Sequence, residues 1–229
     1  IQARALFLRS DEWEKTNNMP VSVIFKNRIA LEKAPEEDAW WREAFLPERT
    51  RPLSFEQDGV HCVLVHATQV DNLSRYLHGW HKEIYIPQEL EALINIYGKT
   101  EKPIIQFYGH THVPTFICIS IKNGGEKVSC EKILPNQTFH LDDGHIYLVN
   151  PGSVGQPRDR DQRASYLVFD SKARTIIFRR VSYDYELTAY DLLAGDYPES
   201  LMRKLKNAPA AEKETPDEWL AHYDEAAKR

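Results

Sequence analysis

Six runs of apolar residues stand out from a mixed, highly charged background, and each has the composition of a β-strand. They occupy residues 60–65, 103–107, 115–121, 147–149, 164–170 and 175–181. Short runs rich in Val, Ile, Phe and Tyr, bounded by Gly, Pro or charged residues, read as strands of a buried sheet. The last two flank Ser171-Lys172-Ala173-Arg174 and predict an antiparallel hairpin, and Asn123-Gly124-Gly125 gives a turn signal after the third. Helical spacing appears elsewhere. Residues 27–34 and 36–45 carry apolar positions three and four apart, with Pro35 suited to the first turn of the second helix. Trp40 and Trp41 there read as packing residues. Residues 186–206 predict a helix-turn-helix. The pattern divides the chain into a charged lead-in over 1–16, one α/β (α+β) domain over 17–206, and a polar tail over 207–229.

Composition narrows the class. A chain of 229 residues with 42% hydrophobic and 11% aromatic residues suits one domain with extensions and a sizeable core. The formal charge of −5 leaves no electrostatic footprint for nucleic acid or for an anionic membrane. No stretch approaches the ~20 apolar residues of a membrane span, and no signal peptide is visible. Cys62, Cys118 and Cys130 lie in or beside strand-like runs without a Cys-x-x-Cys spacing. Buried thiols in a reducing cytosol are the expectation, and with them a cytoplasmic location.

Candidate chemistry sits where the strands end. The run at 60–65 stops at His66, and the run at 103–107 leads into Tyr108-Gly109-His110-Thr111-His112. In an extended segment, residues two apart point to one face, so His110 and His112 are expected to reach a common region. Gly109 leaves room there for close approach, and neutral imidazole is the commonest protein ligand for transition metals. The alternative for a bare His-x-His is a pair of exposed turn histidines. Two strands that each deliver histidine at their C-terminal ends match a site at one edge of an α/β sheet. A third strand runs into Asn150-Pro151-Gly152-Ser153-Val154-Gly155, whose backbone amides either face an anion or merely connect to the next strand. Arg158, Arg160 and Arg163 follow, as phosphate partners or as solvated loop cations. Between the histidine segments, residues 68–102 hold Tyr76, His78, Trp80, His81 and Tyr85, an insert that either shapes substrate choice or covers the surface without contact.

Taken in order, Val63-Leu64-Val65-His66, Gly109-His110-Thr111-His112-Val113-Pro114 and the stretch from Val149 to Arg158 resemble the calcineurin-like metallophosphoesterases. Arg163-Ala164-Ser165-Tyr166 and Tyr183-Asp184 continue the likeness, which covers about residues 17 to 205 and is nearest to the bacterial-type predicted phosphodiesterases. The resemblance implies part of a β-sandwich flanked by helices. It also implies hydrolysis of phosphate mono- or diesters by a water activated between two divalent cations. His66 and His110 would ligate one ion and His112 the other, with Asn150 and Arg158 as phosphate or loop candidates. Manganese is the expected metal, with iron, zinc, nickel and cobalt as alternatives.

The chain also departs from the family. Its members supply, before the position of His66, an Asp-x-His strand end, a Gly-Asp segment with a bridging aspartate and a Gly-Asn-His-Asp turn. None of these precedes His66 here. Asp143-Gly144-His145 has the right spacing on the wrong side of the order, and Gly195-Asp196 lies near the C-terminus. The chain therefore reads as the C-terminal portion of such a domain, with the N-terminal half missing and no catalytic residue of its own. Alone it is expected to bind metal weakly and to show no useful hydrolysis until a complementing N-terminal segment completes the site. Two other readings stay open: a non-catalytic scaffold with the same fold, and a mononuclear zinc protein using three histidines and water.

Overall fold

The pattern of strand runs becomes two sheets packed face to face. The computed structural model describes residues 52–72, 75–99, 101–121 and 126–207. The expected lead-in at 1–16, the helices within 17–46, the turn at Asn123-Gly124-Gly125 and the tail beyond Asn207 lie outside these residues. Described in chain order are β1 (Leu53–Gln57), β2 (Val60–Leu64), α1 (Tyr85–Tyr97), β3 (Ile104–Phe107), β4 (Thr115–Ser120), β5 (Lys127–Cys130) and β6 (Thr138–His140). There follow β7 (His145–Asn150), β8 (Ala164–Asp170), β9 (Thr175–Val181), α2 (Tyr185–Ala194) and α3 (Glu199–Asn207). The larger sheet has the order β1-β2-β3-β7-β4-β5 and the smaller β6-β9-β8. Among the described strands, only β2, β3 and β7 run parallel, side by side at the centre. The hairpin expected around 171–174 is β8–β9, paired from Ala164↔Val181 to Asp170↔Thr175.

The central strands are apolar at successive positions because both of their faces are covered. Val63, Ile104, Ile146 and Leu148 turn towards α1 and meet Ile86, Leu90 and Leu93. Val60, Cys62, Ile105, Tyr147 and Val149 turn the other way and pack on Phe139, Ile176 and Phe178 of the smaller sheet. Phe116 stacks on Phe139 with ring centroids 4.2 Å apart, closing the inter-sheet layer. The period of two along each strand thus sorts its side chains into two separate cores.

Four elements, β1, β5, β6 and α1, lie outside the runs expected from the sequence. Strands β5 and β6 are only four and three residues long. Helix α1 lies inside the insert at 68–102, and its buried residues Ile86, Glu89, Leu90 and Leu93 fall on one face. Gly98, at φ +78°, ends it, donating its N–H to the Ile94 carbonyl.

Glu89 is the exception on that apolar face. It is 1% exposed, and its carboxylate accepts from the Gln69 backbone N–H at 2.6 Å, from Gln106 Nε2 at 2.7 Å and from the Val70 N–H at 3.4 Å. One carboxylate therefore ties α1 to β3 and to the loop that leaves His66. Burial raises its pKa, and the donors around it act against that shift. Glu89→Ala would strand these donors in the core. Urea unfolding is expected to show a loss of about 2–3 kcal/mol, while Glu91→Ala on the exposed side of α1 should change stability by less than about 0.5 kcal/mol.

Candidate metal centre

Because β2, β3 and β7 are parallel neighbours, their C-terminal ends open on one edge of the sheet, the usual place for a site in an α/β fold. The three segments that leave them carry His66, the loop 109–112 and the loop 150–158. The first two are hydrogen-bonded directly, Gly109 N–H to the His66 carbonyl at 2.9 Å. Their side chains meet as well. His66 Nε2 lies 3.0 Å from His110 Nδ1, with the rings edge-on at 4.9 Å.

The route to this contact differs from the expected one. His110 and His112 do not lie on a strand; β3 ends at Phe107, and both residues adopt left-handed backbone, φ +63° and +62°. The same-face rule for extended segments therefore does not apply. For a residue with a Cβ this conformation costs about 1 kcal/mol or more, so something must hold the loop. Asn150 does. Its Nδ2 donates to the Gly109 carbonyl at 2.7 Å and to Thr111 Oγ1 at 2.9 Å, and its Oδ1 accepts from Gly152 N–H at 2.9 Å. With its amide spent on these bonds and its surface fully buried, Asn150 is a clasp between two loops. Of the two roles expected for Asn150, phosphate or loop, these bonds belong to the loop one.

The same clasp explains Gly152. It sits at φ +89°, and a Cβ there would come within 2.7 Å of both Pro114 Cγ and Ser165 Oγ. Ser165 in turn donates its hydroxyl to the Pro151 carbonyl at 2.6 Å, fastening the loop to β8. On the β2 side, Asn72 Oδ1 accepts from the backbone N–H groups of His66 (2.6 Å) and Ala67 (3.2 Å).

His112 is oriented separately. Its Nδ1 lies 2.8 Å from the Gln156 carbonyl. A carbonyl only accepts, so the ring proton sits on Nδ1 and Nε2 keeps its lone pair. Burial lowers the pKa of His66, and burial together with the charge of Arg158 lowers that of His112, so both favour the neutral, ligand-competent form. Arg158 reaches the site through its backbone N–H, 3.4 Å from the His112 carbonyl, and its guanidinium donates to Tyr76 Oη at 3.3 Å.

The other candidates separate from the site. Arg163 forks onto Asp161, with Nη2–Oδ2 at 2.6 Å, and Arg180 pairs with the buried Asp159. Arg160 lines a cavity of about 280 Å³ with Arg163, Tyr183 and Tyr185, and no histidine contributes to it. Asp143 pairs with Arg174, and His145 Nδ1 meets the Asp143 carbonyl at the start of β7, the end away from Asn150. The insert does touch the histidines: the Tyr76 ring lies 4.3 Å from that of His110, and His78 stacks on Trp80 at 4.0 Å. Sequence spacing gave no sign of that contact.

The donor set partly fits a transition-metal ion. Two imidazoles bound to one ion at ~2.0–2.1 Å hold their nitrogens roughly 3 Å apart or slightly more, close to the His66–His110 separation. Among the described residues, no group of three His, Cys, Asp or Glu side chains forms a cage for a metal. A pair plus one oriented neighbour is what these residues provide.

A crystal structure of a metallophosphoesterase from Sphaerobacter thermophilus superposes with a TM-score of 0.63 at 25% identity, covering 90% of this chain and 74% of that one. The fold is that of the metallophosphoesterases. The hypothetical protein PH1004 of Pyrococcus horikoshii superposes at 0.58 over 91% of this chain and 71% of its own, a likeness of fold alone at 13% identity. In sequence, the uncharacterized protein MJ0912 of Methanocaldococcus jannaschii is 36% identical over 99 residues, or 43% of this chain. The matched stretch spans about 37% of that relative's length. No protein-family model matches the chain. The metallophosphoesterase neighbour implies divalent-metal use in that family. No helix among the described residues is long and apolar enough to cross a membrane.

Within this metallophosphoesterase fold His78 makes a pH-dependent contribution. It is fully buried, and burial, followed by the charges of His81, Arg158 and His110, lowers its pKa to about 3. The unfolded chain takes up this proton near pH 6.5, so stability present above that pH is lost as pH falls towards 3. The loss is expected to reach about 2 kcal/mol by pH 5. Urea unfolding across this range should show it, and His78→Asn should make the slope shallower.

Proposed function

We propose that this chain forms part of a metal-dependent phosphoesterase, which hydrolyses phosphate mono- or diesters once a complementing segment completes the site. The observation that carries this reading is the 3.0 Å approach of His66 Nε2 and His110 Nδ1 at the C-terminal edge of three parallel strands. In this role His66 and His110 share one ion, and His112, its proton held on Nδ1 by Gln156, offers Nε2 to a second. When bound, two divalent cations lower the pKa of a water and neutralise the phosphoryl oxygens. Manganese is the expected occupant, and iron, zinc, nickel and cobalt suit the same donors. Arg158, beside His112, supplies a guanidinium for the phosphoryl oxygens. The remaining ligands come from outside the described residues, on a complementing segment that supplies carboxylates. The cytoplasm is the proposed location, in line with the free thiols Cys62, Cys118 and Cys130.

A second reading keeps the fold and drops the chemistry. No carboxylate joins the histidines among the described residues, which suits a non-catalytic scaffold. The same observation speaks against a mononuclear three-histidine zinc centre. Manganese titration of the 229-residue chain, followed calorimetrically, tests the choice. The phosphoesterase reading expects a single weak site, with a dissociation constant of about micromolar or weaker, abolished by His110→Ala. Submicromolar binding at two sites would show that the chain needs no complement. Manganese binding that ignores His110 would sink the phosphoesterase reading in favour of the scaffold.

A further inference from the structure

The insert between the histidine strands brings one side chain against both halves of the site. Tyr76 lays its ring 4.3 Å from the His110 ring, at 43°. Its hydroxyl accepts from Arg158 Nη1 at 3.3 Å, and the Arg158 guanidinium carbon lies 5.7 Å from the Tyr76 ring centroid. Arg158 is anchored at its own backbone, whose N–H faces the His112 carbonyl at 3.4 Å. Its side chain is otherwise a long, flexible stem. A guanidinium left to sample its rotamers pays that freedom when it grips an anion; one already held by a hydroxyl and an aromatic face does not. The charge of Arg158 is felt at His112 and His78, so this held cation borders the histidines.

We propose that Tyr76 is a positioning residue that holds the Arg158 guanidinium beside His110 and His112, presetting it for the free oxygens of a phosphoryl group. The inference rests on the phosphoesterase reading and adds to it the residue that sets phosphate affinity. Tyr76 itself touches neither the phosphoryl group nor an ion. Its ring packs against that of His110 at 4.3 Å and lies near-parallel to that of His78 at 6.2 Å, and its hydroxyl is the group that meets the Arg158 guanidinium. Tyr76→Phe is therefore the informative change, because it keeps the ring packing and deletes only the contact to Arg158.

The test is binding of inorganic phosphate by ³¹P NMR to the 229-residue protein, without metal and again with manganese present. Arg158→Ala is expected to weaken phosphate binding by roughly 10- to 100-fold, and Tyr76→Phe by roughly fivefold. The double variant should bind no more weakly than Arg158→Ala alone, since the hydroxyl acts only through the guanidinium. Manganese affinity should stay within about twofold of wild type in Tyr76→Phe, which a general loosening of the loop would not allow. Three results would overturn the inference: wild-type phosphate affinity in Tyr76→Phe, losses in the two single variants that multiply in the double, or no phosphate binding by the wild-type protein. Manganese binding independent of His110 would count against the phosphoesterase reading alone, because the metal-free phosphate series still reports on Tyr76 and Arg158.

Discussion

Three parallel strands that end together organise this fold and its candidate site. Parallel pairing of β2, β3 and β7 forces every connection leaving their C-terminal ends onto one edge of the sheet. Chain segments more than 40 residues apart are thereby delivered to a single place. The contact between His66 and His110 follows from that delivery, as does the meeting of Asn150 with Gly109 and Thr111. Two cores, one beneath α1 and one against the smaller sheet, keep these strands from shifting.

Around that edge, polar side chains hold backbone where regular structure stops. Asn72 takes the amides of His66 and Ala67, Glu89 takes those of Gln69 and Val70, and Asn150 joins the loops after β3 and β7. Each satisfies backbone donors that the sheet ladder no longer serves. The left-handed backbone of His110 and His112 persists because these bonds fix it. Strain of this kind is typical of functional sites, and here it aims two imidazoles that an extended strand would have placed otherwise.

Much of this was legible in the residues. Apolar runs ending in His66, in His110 and in Asn150 were visible along the sequence, as was the β8–β9 hairpin around Ser171 to Arg174. Other features were not. The short strands β5 and β6 carry too few residues to show a period. Helix α1 has its signal in Ile86, Leu90 and Leu93, but the buried carboxylate of Glu89 interrupts the apolar face. The backbone of His110 could not be foreseen, since its left-handed turn depends on Asn150, 40 positions on. Tyr76 meets Arg158 across 82 positions, a pairing that no local pattern encodes.

In the proposed function, His66 and His110 hold one ion between them. Anomalous diffraction at the manganese edge, from crystals of the chain grown with Mn²⁺, measures it directly. A peak is expected roughly 2–2.3 Å from both His66 Nε2 and His110 Nδ1. Density elsewhere, with those two nitrogens still sharing a proton, would contradict it.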